Sequence, residues 1–141
     1  MSKKQFLLQV VSQERELISQ KVDSLTVPTQ VGELTILPDH APLFSKVTSG
    51  VMVYRTAGEE RFFIVSAGFL DVSDKKMVTV LVDSAVADRE ISEKKAQAAI
   101  QAANETMSKT VDQRELLMAE ASLRQAMLEL KIAQKTKRAS I

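Results

Sequence analysis

The stretch Val78-Thr-Val-Leu-Val-Asp-Ser-Ala-Val-Ala-Asp-Arg-Glu-Ile-Ser-Glu-Lys-Lys-Ala-Gln-Ala-Ala-Ile100 changes character in its middle. Its first five residues are β-branched or leucine, the composition of a strand. Its last eight are rich in Ala, Lys and Gln, which favour helix. The switch falls near residues 84–90 and sorts the whole chain. All four glycines, all three prolines and all six aromatics precede residue 70. From Ala85 to Ile141 there is no Gly, Pro or aromatic residue. The spacing therefore predicts a β domain over 1–86 and a helical unit over 87–141.

Upstream of the switch, short β-branched runs recur with turn residues between them. They are Gln5 to Val11, Val22 to Val27 (breaking at Pro28), Leu34 to Leu37 (ending at Pro38) and Val51 to Tyr54. Phe62 to Val65, Phe69 to Val72 and Met77 to Val82 complete the set. Asp74-Lys75 reads as a tight hairpin connection. Seven or more short strands in this length predict an antiparallel β-sandwich or barrel. No helical crossover separates them, which argues against a parallel sheet.

Downstream, Ile91 to about Met107 reads as one helix, with Ser92 as N-cap and Asp88 as the alternative. A second helix starts in Thr110-Val-Asp-Gln-Arg-Glu115, where two overlapping capping boxes occur. It continues to about Lys135. Leu116, Leu123 and Leu130 recur every seven residues, as do Ala119, Ala126 and Ala133, giving an apolar seam. Ala96, Ala99, Ile100, Ala103 and Met107 are the matching side of the first helix. The short connection makes the two helices antiparallel. A pair this small buries little surface, so it is expected to lean on something else or to move.

Composition excludes several functions. The chain has 141 residues, 45% of them apolar, and a net charge of +1, so it folds and carries no strong footprint for nucleic acid. There is no cysteine and a single histidine, His40, held between Pro38 and Pro42. A nucleophile–base pair would have to use His40, and a stiff contact loop is the better reading of that segment. No acidic cluster has metal-ligand spacing, and no phosphate-cradling glycine loop is present. The basic start Met1-Ser-Lys-Lys4 is followed by too short an apolar run for a signal peptide, and no run is long enough to span a bilayer. The expectation is a chain that does not insert in a membrane. Lys131, Lys135, Lys137 and Arg138 close the sequence with no acid after Glu129. They suit a helix C-terminus electrostatically, or form a handle for an acidic partner.

One motif is specific enough to suggest a family. Gly32-Glu-Leu-Thr-Ile-Leu-Pro-Asp-His-Ala-Pro-Leu43 resembles the signature loop of ε subunits of bacterial and organellar F-type ATP synthases. Val65-Ser-Ala-Gly-Phe-Leu-Asp-Val72 resembles a second block of that family, with Ala67 in place of the first of two glycines. Val78-Thr-Val-Leu-Val-Asp-Ser-Ala85 resembles its last long strand. Order, spacing and the Ala- and Leu-rich tail agree over nearly the whole chain.

The resemblance implies a sandwich of about ten strands bound to the γ subunit and seated on the membrane rotor ring. It would be a non-catalytic stalk component at the cytoplasmic face of the cell membrane, held there as a peripheral protein. It implies that Glu33, His40, Leu43 and Phe44 face the ring or γ. It also implies that the helical hairpin restrains ATP hydrolysis through Lys131, Lys135 and Arg138 against the α/β catalytic head. Some bacterial members bind ATP on the folded hairpin through an Ile/Leu-Asp-x-x-Arg-Ala motif. Here Ile91, Ser92, Lys95 and Ala96 occupy those positions. Serine replaces the aspartate, and lysine lacks the planar fork of the arginine it replaces. Gln125 and Glu129 stand where arginines would help on the second helix. No cofactor is therefore expected. The competing class is a free-standing ligand-binding β-sandwich, which should display exposed aromatics, whereas most aromatics here read as core.

Overall fold

The computed structural model describes residues 4–73 and 76–139, with only the backbone described for 136–139. The Asp74-Lys75 connection and the side chains of Lys137 and Arg138 lie outside the described residues. The chain divides into two compact units, Met1–Val86 and Ala87–Ile141.

The first unit is a mostly antiparallel ten-stranded sheet folded into a sandwich. Its strands are β1 (Phe6–Val11), β2 (Glu16–Val22), β3 (Ser24–Thr29), β4 (Gly32–Ile36) and β5 (Leu43–Val47). They continue with β6 (Gly50–Thr56), β7 (Glu59–Val65), β8 (Gly68–Val72), β9 (Met77–Val82) and β10 (Ala85–Ala87). Spatial order runs β10-β7-β6-β3-β5-β8-β9-β1-β2, with β4 paired to β3. Alternation decides what each strand buries. Phe6, Leu8 and Val10 of β1 point inward, as do Leu25 and Val27 of β3 and Val78, Val80 and Val82 of β9. Met52, Tyr54, Phe63 and Leu70 complete the centre of the core.

Three features depart from the sequence reading. Val22 to Val27 is not one strand. Asp23 separates β2 from β3, its N–H donating to Arg55 O at 2.7 Å and its carboxylate accepting from Gln5 Nε2 at 3.1 Å. Pro28 does not end a strand but lies inside β3, opposite Glu33 of β4. On its other side β3 pairs with β6 only through Ser24–Thr26 and with β5 only through Thr29. The missing proline N–H thus falls where the strand passes from one neighbour to the next. Finally, β1 and β9 pair in parallel, Leu8 opposite Val78 and Val10 opposite Val80. Most of the domain intervenes between these strands, so the crossover needs no helix.

The second unit begins with a 3-10 turn (Asp88–Glu90), followed by α1 (Glu93–Lys109) and α2 (Gln113–Ala139). Ser92 is the N-cap, its Oγ accepting from Lys95 N at 3.3 Å. Asp88, the alternative cap, instead opens the 3-10 turn and is buried. At the start of α2, Arg114 N donates to Asp112 Oδ1 at 2.9 Å, and Thr110 Oγ1 donates to Glu115 Oε2 at 2.7 Å. Ala96 and Ala103 of α1 and Ala119 and Ala126 of α2 are buried, while Leu116, Leu123 and Leu130 are half-buried beside them. Ala99 is exposed, contrary to the expected seam. At about 100° per residue it sits roughly 65° round the helix from the line through Ala96, Ile100 and Ala103.

With 27 residues against 17, α2 outruns its partner, and its last turns extend past the start of α1. Ile132 on this extension is buried, and the 3-10 turn packs against α2. The 3.5-residue seam did not include Ile132. Removing the Ser92 hydroxyl should cost about 1 kcal/mol, the usual value of an N-cap. Hydrogen exchange should therefore quicken in α1 of Ser92→Ala and stay unchanged in β1, β8 and β9; uniform quickening would refute a cap confined to the hairpin.

Candidate functional site

The segment between β4 and β5 contains Pro38, Asp39, His40, Ala41 and Pro42. Asp39 has φ 68°, the left-handed conformation that Asp and Asn tolerate better than most residues. This turns the chain so that His40 N donates to Leu37 O at 3.1 Å. His40 Nδ1 lies 2.7 Å from Ala41 O. A carbonyl oxygen only accepts, so Nδ1 carries the proton there. The ring is thereby committed to its own loop.

Asp39 accepts from Lys4 Nζ at 3.0 Å and lies 3.8 Å from Lys76 Nζ. The hydrogen bond and the charge of Lys4, followed by the charge of Lys76, hold its carboxyl below the ordinary aspartate value. A depressed folded value means that this stabilisation is present above the unfolded pKa and is lost as pH falls through the folded one.

Next to the loop, the outer face of the sheet carries exposed apolar side chains among polar ones. On β5, Leu43, Ser45 and Val47 share the inward parity, while Phe44 and Lys46 point outward. Phe44 is 67% exposed and stacks on Phe69 of β8, which is 43% exposed, with ring centroids 5.5 Å apart and planes 21° off parallel. Phe69 lies opposite Leu81 of β9, which is 48% exposed. These three side chains form a ridge. It borders a cleft of about 690 Å³ whose rim includes Val11, Gln13, Lys46 and Thr48. Aromatic pairs of this kind are normally buried. Here the pair on β5 and β8, with Leu81 of β9, is left as an exposed apolar patch.

The structure distributes the four sequence candidates over this region. His40 and Phe44 stand at the loop and ridge. Leu43 pairs with Val72 and takes the inward parity, so it supports the ridge from beneath. Glu33 is exposed on β4, next to the β3–β4 turn and roughly 13 Å along the strand from the start of the loop at about 3.3 Å per residue. Sequence reasoning missed Phe69 and Leu81 and placed the aromatics mostly in the core. Phe6, Tyr54, Phe62 and Phe63 are there, but Phe44 and Phe69 are not. The signal was parity: Leu70 and Val72 point inward, so Phe69 between glycine and leucine had to point out.

On the hairpin, Ser92 is occupied as a cap and Ala96 as seam, while Ile91 is half-buried and Lys95 exposed. Gln125 donates to Glu129 at 3.4 Å, which places a carboxylate on α2 near the level of the motif. Lys131 and Lys135 project from the extension of α2 and are exposed. Among the described residues no group of three His, Cys, Asp or Glu side chains could hold a metal ion. No helix among them is long and apolar enough to cross a membrane.

Fold and surface thus define a class: a β-sandwich with an exposed apolar ridge and an appended helical hairpin. The chain belongs to the ATP synthase delta/epsilon family, whose β-sandwich domain matches residues 5–88. The likeness extends through the hairpin. A relative from Nitrosococcus oceani, an ATP synthase epsilon chain, is 38% identical over 130 residues, 92% of each chain. An ATP synthase epsilon chain from Dehalococcoides mccartyi is 39% identical over 132 residues, 93% of this chain and 94% of the relative. Among solved structures, a chain of the Euglena gracilis mitochondrial ATP synthase (OSCP/F1/c-ring) superposes with a TM-score of 0.64 at 24% identity. It covers 97% of this chain and 82% of that one. A chain from the central stalk and c-ring of the Tetrahymena thermophila mitochondrial enzyme gives 0.59 at 13% identity, covering 94% and 99%. At these identities the two structures speak to the fold.

Proposed function

We propose that the sandwich is a non-catalytic joint of the ATP synthase central stalk, binding the γ subunit through the Phe44–Phe69–Leu81 ridge. The ridge carries this reading, because nothing among the described residues of the sandwich covers it. The γ subunit is the partner that the family resemblance implies. A joint that transmits torque needs a surface that does not yield, and the Pro38–Pro42 loop beside the ridge is stiffened by two prolines and an internal hydrogen bond. The β4–β5 loop around His40 is the candidate for the membrane rotor ring, with Glu33 at the opposite end of β4. The subunit would turn with the rotor during proton-driven synthesis, at the cytoplasmic face and without inserting in the membrane.

The hairpin is proposed to regulate hydrolysis, reaching the α/β head with Lys131, Lys135 and Arg138. The extension of α2 beyond α1 favours this role, since Lys131 and Lys135 are exposed on it. The test is ATP hydrolysis by an ε-depleted catalytic head, with full-length chain added beside a truncation ending at Ala87. Inhibition by the full-length chain alone is expected. Equal activity with both would refute regulation and leave coupling. Failure of both to bind γ would refute the joint.

ATP itself is not expected to bind the hairpin. The Ser92 hydroxyl is committed to the helix cap, and Glu129 brings negative charge where phosphate would lie. Calorimetry on the full chain should show no binding at micromolar ATP; a micromolar dissociation constant would overturn this.

A further inference from the structure

We infer that Asp39 is a positioning residue: an electrostatic clamp that ties the β4–β5 loop to two other segments, the N-terminal approach to β1 and the β8–β9 connection. The observation is a coincidence of backbone and charge. Among the described residues only Asp39, Ala57 and Lys76 are non-glycine residues with positive φ, at 68°, 51° and 58°. Ala57 belongs to the hairpin turn between β6 and β7, where such a backbone is ordinary. Asp39 and Lys76 lie on different loops, and they form an ion pair with each other at 3.8 Å. Lys4 completes the triad from a third segment at 3.0 Å.

Glycine would take either left-handed position without steric penalty. Charged residues of opposite sign stand there instead, aimed at one another. A local backbone preference does not account for that pairing, and a tie between loops does. The three segments also border one hollow, of about 270 Å³, whose walls include Phe6, His40, Pro42 and Met77. Lys4 leads directly into β1 through Leu7 N, which donates to Lys76 O at 3.0 Å. The clamp therefore closes a ring of contacts at one end of the sandwich, and His40 is carried on its rim.

Both pairs are exposed and so are sensitive to salt. In the full chain at low ionic strength, Asp39→Asn keeps a residue that accepts positive φ and removes only the charge. It should quicken exchange of the His40 amide roughly fivefold, the scale of two surface ion pairs. About 0.5 M NaCl should quicken the unmodified chain by a similar factor and leave the variant unaffected. Asp39→Gly should quicken His40 exchange as well, while its melting temperature holds or rises because the backbone is relieved. That opposition separates a clamp from a residue that merely stabilises the fold. His40 exchange that is indifferent to salt in the unmodified chain, or equal in the unmodified chain and Asp39→Asn, would overturn the inference. These measurements involve no partner, so they stand or fall independently of the proposed role of the loop in the stalk.

Discussion

Gly68→Ala should cost the sandwich about 3 kcal/mol or more, although it adds one methyl group to a half-buried end of a strand. Gly68 opens β8 and is paired on both sides, with Val47 of β5 and Val82 of β9. A Cβ placed there would fall inside the van der Waals shell of Leu81 O and 2.7 Å from Val82 Cα. Both are backbone atoms, so no rotamer relieves the overlap. The only release is to move β8 away from β9, which disturbs a ladder running from Gly68–Val82 to Val72–Val78. Ordinary overpacking by a methylene costs about 1–3 kcal/mol where side chains can adjust. A rigid backbone collision belongs at or above the upper end. For a domain of this size each kcal/mol shifts the melting midpoint by about 4–8 °C, so a fall of roughly 12–24 °C is expected. A shift of less than about 4 °C by circular dichroism would refute the account.

The same geometry explains why Ala67 is acceptable where the family block carries another glycine. Ala67 is exposed and outside β8, and its carbonyl accepts from Asp83 N at 3.2 Å, whereas Gly68 is half-buried inside the strand. Glycine at 67 is thus dispensable and glycine at 68 is not. Only the register of β8 against β9 distinguishes the two.

Much of the architecture was legible because it rests on local rules. The switch from β-branched to Ala- and Lys-rich composition, the Ser92 cap and the Ala119–Ala126 seam each follow from a few neighbouring residues. The missed strands show where such rules stop. In β2, Glu16 to Lys21 mixes charge with half-buried residues, because this strand is an edge and pairs only with β1. Edge strands carry weaker hydrophobic alternation, so there was little period to read. In β5 the inward set is Leu43, Ser45 and Val47, and a serine in the middle breaks the pattern. Pro28 was read as a terminator because its unpaired side is invisible until the neighbours of β3 are known. The Asp39–Lys76 pair spans two distant loops, and no spacing rule connects them.

The ridge was half legible, and it carries the second large effect. Replacing Phe44 and Phe69 together with alanine should weaken binding to γ by at least about 100-fold, with the melting temperature of the isolated chain nearly unchanged. The two rings shield each other only in part, so the free subunit presents them to water at a cost that a partner removes. Aromatic side chains near the centre of an interface commonly contribute 2 kcal/mol or more each on truncation. At 1.4 kcal/mol per tenfold change in affinity, two such anchors exceed a hundredfold even after allowing for coupling between stacked rings. Stability should hold because the core partners of β5 and β8, namely Val47, Leu70 and Val72, lie on the opposite face. Leu81→Ser, at the margin of the ridge, should weaken binding less than either ring does. Titration calorimetry of γ against the double variant decides the matter. A change within threefold would mean that the exposed aromatics serve another surface, and that the family joint lies elsewhere on the sandwich. A loss of affinity accompanied by a large fall in melting temperature would instead show that the stacked rings support the fold, and would remove the ridge as the docking site.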